Sequence, residues 1–532
     1  MNFSARNIPY QSTGFFSKLV SDYVDQSQQL QPFLSFAPTL TGIKKAIEER
    51  KKHPANRKAL VDVLMKQYAT VETSEKAKAN ITALLSDNTF TITTAHQPNI
   101  FTGHLYFVYK ILHAVKLAET CKKELPENNF VPVYYMGSED ADLDELGHVF
   151  VNGEKYEWQT SQTGAVGRMK VDKALIRLID GIAGQVLIHP FGAAIVDMMK
   201  ACYKEGVTIE QATFKLVNEL FKDYGVLVVL PDDTALKSLF IPVVEKELNE
   251  EFSHKAVAAT VAAFPAAYKV QASGRELNLF YLKDDRRDRI EVEGAKYKVH
   301  DTAIVFTKNE VLEELHQHPE RFSANVILRP VFQEMILPNI AFIGGGGEIA
   351  YWLELKKVFE AVQVPYPVLV LRNSFMIVEK EQVVKSKNLG FTIPDLFKGE
   401  LELLNSFVKR ESDLQLSLEA EKQFLHEAYN KLKNISGAVD VTLAKHTEAL
   451  QVQALKKIVA LEKKMMRAEK KKFEAQQRQL HKLKTTLFPN NNLQERIENL
   501  TPFYAKWGAD FIRLLYENSL GLEQEFVILE EV

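Results

Sequence analysis

Cysteine is nearly absent from this chain. Only Cys121 and Cys202 occur among 532 residues, which excludes a disulfide framework or a cysteine-rich zinc site and fits a reducing compartment. Neither sign of charge dominates: 66 basic and 69 acidic side chains leave a formal net charge of −3. That balance gives no global attraction for nucleic acid. Long apolar runs are missing too. The most apolar stretch, roughly 256–268, is interrupted by Pro265 and falls short of the about 20 residues that span a bilayer. The opening residues Met1-Asn2-Phe3-Ser4-Ala5-Arg6 carry no apolar segment of the signal-peptide kind. The expectation is a soluble cytoplasmic protein without nucleic-acid or membrane partners. Internal repeats and low-complexity segments are also absent.

What is present is the make-up of a folded chain, 46% hydrophobic and 25% charged, long enough for roughly two to four domains. Up to about Ser86 the residues mix at helical spacing, as in Leu60, Val63, Leu64 and Tyr68. The β-branched run Thr89 to Thr94 predicts a strand, followed by a loop from Ala95 to Gly103. A helix then begins near His104, with Leu105, Val108, Leu112 and Val115 on one face. Further strands fit 130–135, 225–230 and 367–371, the last after a helix over 348–361. Strands alternating with helices predict an α/β fold with a parallel sheet and crossover helices. The intervening segments, about 165–205 and 240–325, read as insertions; the second holds a strand from Leu277 to Leu282.

After about Val378 the composition changes. No glycine or proline occurs from Val439 to Leu487. Ile458, Leu461, Met465 and Ala468 step by three and four, the spacing of a coiled coil. Leu480, Leu483 and Leu487 resume it after the polar Lys472 and Gln476. A second helix over about 413–433 is expected to pack antiparallel, and 502–516 to return toward the body. Such helices often join two chains, which predicts a homodimer; an intramolecular hairpin without a partner fits the same pattern.

Three constellations carry chemistry. In the first, Thr94 to Leu105 joins a strand to a helix, where ligands of α/β sheets bind. Thr102 suits the helix N-cap, with His104 in the first turn. A phosphate is stabilised at such an end, and His96 and His104 would add hydrogen bonds to it or to developing charge. Phe101-Thr102-Gly103-His104 also resembles the His-x-Gly-His element of class I synthetases and nucleotidyltransferases, with Phe101 in place of the first histidine. A capped helix start with two surface histidines is the plainer alternative. In the second, Glu139, Asp140, Asp142, Asp144 and Glu145 put five carboxylates within seven positions beyond a strand. They suit an ammonium group, Mg²⁺ or a general base, and equally a solvated helix start. In the third, Gly344 to Gly347 precede Glu348 and Tyr351; four glycines allow close approach of a ligand and positive φ, and the helix behind them offers an anion site. Arg372 and Ser374, just beyond the last core strand, suit a phosphate or carboxylate, or a salt bridge.

Taken in order, His96-Gln97 with Phe101-Thr102-Gly103, Gly137 to Glu145, Tyr224 to Asp233, Asn278 to Tyr281 and Gly346 to Trp352 resemble the BshC family of cysteine-adding enzymes in bacillithiol biosynthesis. The resemblance spans nearly the whole chain. It implies a Rossmann-like core of the class I nucleotidyltransferase and synthetase type, with connective insertions and a dimer-forming coiled coil. The corresponding division is a core over 1–165, 206–240 and 326–378, insertions over 166–205 and 241–325, a helical coiled coil over 379–515 and a tail over 516–532.

The implied reaction is a ligation that adds cysteine to glucosaminyl-malate by an amide bond, with ATP, accompanied by Mg²⁺, activating the carboxyl. The implied roles are catalytic for His96, His104, Glu139, Asp140 and Asp142. Gln97, Thr102, Gly103, Arg372 and Ser374 would hold the nucleotide, and Gly345, Gly346, Glu348 and Tyr351 would line the substrate pocket. No resident metal site is expected. This chain departs from the family pattern at Ala95-His96-Gln97, where a Gly-Gln-Gln-like element is commoner, and at His104 and Ala141, which replace a proline and a histidine.

Overall fold

The computed structural model describes residues 2–272 and 274–532. Apart from short pieces near the two ends of the chain, it divides into one compact unit made of Phe15–Met376 with Asn492–Leu529 and a second made of Ile377–Asn491.

The first unit is built on five strands: β1 (Thr89–His96), β2 (Asn129–Met136), β3 (Leu227–Val229), β4 (Asn339–Gly344) and β5 (Val368–Leu371). Their spatial order is β5-β4-β1-β2-β3, and every pairing is parallel. The order reverses between β1 and β4, and the crevice beyond the strand ends at such a reversal is where ligands bind in open α/β sheets. β4, β5 and nearly all of β1 and β2 are buried, as expected of a sheet covered on both faces. That burial includes threonines. Thr91 and Thr93 therefore donate to Asn339 Oδ1, at 3.1 and 2.8 Å, so their hydroxyls are not left unsatisfied in the core.

The helix Leu105–Glu124 connects β1 to β2. It is apolar nearly all round, with Leu105, Val108, Ile111, Leu112 and Val115 all at 1% exposure or less, so packing rather than intrinsic propensity holds it. Truncating Leu112 to alanine there would cost about 2–5 kcal/mol.

The four core strands expected from sequence are present within two residues at each end, and β4, ahead of the glycines, completes the sheet. The predicted helix over 348–361 is two helices, Gly346–Leu353 and Lys356–Ala361. They part at Glu354, whose buried carboxylate accepts from Gln271 N and Ala272 N at 2.8 and 2.7 Å. The four glycines do not adopt positive φ, contrary to expectation. At Gly346 the reason is close packing: a Cβ there would stand 2.6 Å from Val20 Cγ2. Among its described residues the insertion over 241–325 contains the helices Ile241–Glu250, Phe252–Val261 and Lys308–Gln317 and a five-stranded antiparallel sheet that includes Leu279–Lys283, Arg286–Glu293 and Phe322–Ala324.

In the second unit, helices Glu419–Val439 and Val441–Lys470 form an antiparallel pair. Side chains bond at matching heights, Ser436 to Thr447 at 2.9 Å and Lys422 to Glu462 at 3.1 Å. Leu461 is 48% exposed and Ala468 also faces solvent, so they are not a seam of this intramolecular pair. Leu480, Leu483 and Leu487 are buried, on the helix Glu474–Leu487. The compact unit closes at Asn491, short of the 515 expected for the helical domain, and helices Thr501–Trp507 and Ala509–Glu517 fall in the first unit. Among the described residues no helix is long and apolar enough to cross a membrane.

Candidate functional site

Beyond the ends of β1, β2 and β4 lies a cleft of about 290 Å³, at the lower end of the range for ligand sites. Its walls include His96 at the end of β1 and Gln97 just beyond it, Glu139 and Asp140 after β2, and Glu348 and Tyr351 after β4. The three constellations singled out in the sequence therefore meet in one place, as parallel strands with aligned ends require.

His96 is the last residue of β1, with its ring 5.3 Å from that of Phe107 and 5.4 Å from that of Tyr106. Burial, then the positive charges of Lys110, His104 and Arg372, hold its pKa well below the ordinary 6.5. The imidazole is neutral at pH 7, and its buried Nε2 has no hydrogen-bond partner among the described residues. Gln97 donates from Nε2 to Asp140 at 3.0 Å, tying the first constellation to the second.

The acidic turn divides. Glu139 pairs with the buried Lys237 and accepts from Ser323 Oγ at 2.9 Å. Lys237 also reaches Asp232 at 3.2 Å, and Asp232 is gripped by Arg168 through bonds of 2.6 and 2.8 Å. Glu145 also lines the cleft; burial first, then Asp140 and Asp142, raise its pKa. Asp142, by contrast, is exposed and caps the short helix Leu143–Leu146 by accepting from Glu145 N at 3.0 Å. Among the described residues no group of three histidine, cysteine or acidic side chains is set to hold a metal ion.

At the glycine corner, the Glu348 carboxylate accepts from Gly345 N at 2.9 Å and from Lys110 Nζ at 2.6 Å. The donor that an anion would use at this helix start is thus taken by the protein's own carboxylate. Lys110 is 1% exposed and also donates to Ala95 O at 2.5 Å. Gly345 and Gly346 shape this corner without lining the cleft. Tyr351 accepts from Arg329 Nη2 at 2.8 Å.

The remaining expected residues lie elsewhere. Thr102 is not the helix cap: His104 holds that position, and the Thr102 hydroxyl is buried without a partner among the described residues, at φ +72°. Leu105 N donates to Glu498 O at 2.8 Å and His104 Nδ1 meets Ile497 O at 3.0 Å. Asn499 Nδ2 donates to Phe101 O and Gly103 O at 2.8 and 2.5 Å. This loop is fastened to 497–499, so Thr102 and Gly103 do not fit a phosphate anchor. Nor do Arg372 and Ser374. Arg372 donates to Glu495 Oε1 at 2.6 Å and to Ser374 Oγ at 3.1 Å, and Ser374 in turn donates to Glu495 at 3.1 Å, all of them buried. That is the salt-bridge alternative.

Sequence reasoning missed Tyr106, Tyr135, Arg287 and Arg329, all of which line the cleft, and Lys110 and Lys237 behind it. Lys110 carries a legible signal, a cation within an apolar helix. Arg329 carries another, since it opens the helix Arg329–Ile336, where the helix dipole disfavours a cation. Arg287 lies in the charged run Arg286 to Arg289, and only the fold distinguishes it.

Comparison with known proteins agrees with this architecture. The family described as "Bacillithiol biosynthesis BshC, N-terminal Rossmann-like domain" matches residues 3–373, and its companion C-terminal coiled-coil domain matches 375–531. A Flavobacterium johnsoniae protein named "Putative cysteine ligase BshC" is 38% identical over 98% of this chain and 99% of its own length. Proteins of the same name from Christiangramia forsetii and Cytophaga hutchinsonii are each 39% identical, the first over 98% of both chains and the second over 97% of both. A crystal structure titled as an arginyl-tRNA synthetase from Campylobacter jejuni aligns over 84% of this chain and 98% of its own, with 10% identity and a TM-score of 0.24, too low to carry an argument. With family matches over both of its parts and relatives matching end to end, the chain belongs to the BshC family of bacillithiol biosynthesis.

Proposed function

We propose that this protein is a ligase that joins the carboxyl group of cysteine to the amine of glucosaminyl-malate, and that the reaction takes place in the cleft beyond β1, β2 and β4. One observation carries the reading: a neutral histidine with a vacant Nε2 shares a small cleft with several carboxylates. An amine attacks only as the free base. Asp140, Glu145 and Glu348 hold the ammonium form; His96 Nε2 takes the proton as nitrogen bonds to the activated carboxyl carbon and the leaving group departs. Glu139, neutralised by Lys237, is a positioning group. His104 and Asp142, fastened or exposed as described, act only through the loops they shape.

Amide formation from a free carboxylate is uphill in water, so a co-reactant must activate it. ATP with Mg²⁺ is the proposed one. Thr102, Gly103, Arg372 and Ser374, fastened as described, do not fit its phosphates. Gln97 alone of the expected nucleotide residues faces the cleft.

The test is reconstitution. Purified protein with cysteine, glucosaminyl-malate and ATP-Mg should yield bacillithiol, and His96→Ala should lower kcat about 100-fold or more. Because His96 is held below 6.5 and acts as the free base, the acid limb of kcat/KM should lie below pH 6.5. Folded protein that forms no product with any nucleotide would sink the reading. We also propose a homodimer through the second unit, supported by its exposed apolar residues Phe424, Ile435, Val439 and Val441, each at least 66% exposed.

A further inference from the structure

Two cations in the cleft have carboxylates near them but none in contact. Arg287 and Arg329 both line it, yet neither has a carboxylate oxygen within 4.0 Å among the described residues. Arg287 donates to Ser323 Oγ at 3.1 Å and Ala324 O at 3.2 Å, with its guanidinium 3.9 Å from the centre of the Phe280 ring. Arg329 donates to Gln333 Oε1 at 3.3 Å and Tyr351 OH at 2.8 Å. A guanidinium has five N–H donors, so most of each fork is unused. Three other arginines deep in this unit are ion-paired: Arg50 with Glu334, Arg168 with Asp232 and Arg372 with Glu495. A half-buried guanidinium without a contacting counter-ion is costly to keep, and a ligand carboxylate would supply the missing contact. The short segment 323–329 supplies acceptors to Arg287 and carries Arg329 itself, so the two forks are fixed to one piece of backbone.

We propose that Arg287 and Arg329 form a dicarboxylate subsite, each taking one carboxylate of the same small acid. Two rigid forks on separate side chains suit two separate planar anions, because carboxylates accept guanidinium N–H groups in pairs. A nucleoside triphosphate suits the cleft less well. Its charge would meet Glu139, Asp140, Glu145 and Glu348 on the same walls. A ligand with two carboxylates and one ammonium satisfies both sets of walls at once. The subsite rests on the ligase reading only for the identity of that ligand, in which the malate part supplies the carboxylates and the sugar amine faces the acidic residues.

The experiment is calorimetric titration of the full-length protein with L-malate, DL-lactate and sodium phosphate, followed by kinetics. L-Malate should bind, with lactate and phosphate at least tenfold weaker. Arg287→Gln and Arg329→Gln should each weaken L-malate at least tenfold, with the two lysine variants intermediate. Near-ultraviolet circular dichroism checks that each variant is folded. In the coupled assay, KM for glucosaminyl-malate should rise while KM for cysteine stays. Phosphate binding tighter than malate, no malate binding by the native protein, or malate binding unchanged in both folded glutamine variants would each overturn the proposal. Malate binding that depends on both arginines, without bacillithiol formation, would keep the subsite and reject the ligase.

Discussion

His113 is fully buried, and both of its ring nitrogens are committed: Nδ1 accepts from Asn373 N at 3.1 Å and Nε2 donates to Gly521 O at 2.7 Å. Only the neutral Nε2–H tautomer meets both partners. Protonation would turn Nδ1 toward a backbone N–H, and burial depresses the pKa to about 4. The unfolded chain therefore binds protons that the folded one refuses between about pH 6.5 and 4. Stability from this group is complete above 6.5 and falls as pH drops through 4, by about 3 kcal/mol for a shift of this size. Urea unfolding at pH 7 and pH 4.5 should show the gap between the native protein and His113→Gln shrinking at the lower pH. An unchanged gap would reject the assignment. Lys110 is the contrasting case of a buried cation, its ammonium received by Ala95 O and Glu348.

Among the elements, the glycine corner separates two reasons for using glycine. At Gly346 a Cβ would collide with Val20, whereas at Gly347 nothing stands within 4 Å. Both begin the helix Gly346–Leu353 with ordinary backbone angles. Gly347→Ala should therefore leave the melting temperature unchanged or raise it, by up to about 1 kcal/mol of stability. Gly346→Ala should lower it by about 1–3 kcal/mol. Equal effects in a thermal melt would reject the packing argument. The core strands were legible because β-branched and aliphatic runs between glycine or proline stops have few alternatives, as at Thr89 to Thr94. The convergence of His96, Glu139 and Glu348 was legible for the same reason, since each follows a parallel strand. The arginines of the cleft were not. Arg287 arrives on an antiparallel hairpin whose charged sequence resembles any solvated surface, and its role depends on a neighbour, Phe280, that pairing alone supplies. Thr102 misled because a plausible cap at the right spacing was outcompeted by Asn499 and Glu498, nearly 400 positions away.

For the whole molecule, the exposed apolar residues of the helical pair predict association. Ile435→Glu together with Val439→Glu should convert a dimer to a monomer in sedimentation velocity; a native protein that sediments as a monomer would dismiss the dimer outright. The first unit has a second property of large scale: it is interrupted. Glu495, Asn499 and Gly521 O satisfy Arg372, the loop at Phe101 to Gly103 and His113, and all three come from the piece that follows Asn491. A ribosome that has released Met376 has made most of this core, yet must translate through Asn491 before the closing piece emerges, a wait on the order of 10 s at ordinary elongation rates. Until that piece emerges, Arg372 lacks the carboxylate of Glu495 and His113 lacks the carbonyl of Gly521. It is the stage at which a chaperone would have most to do.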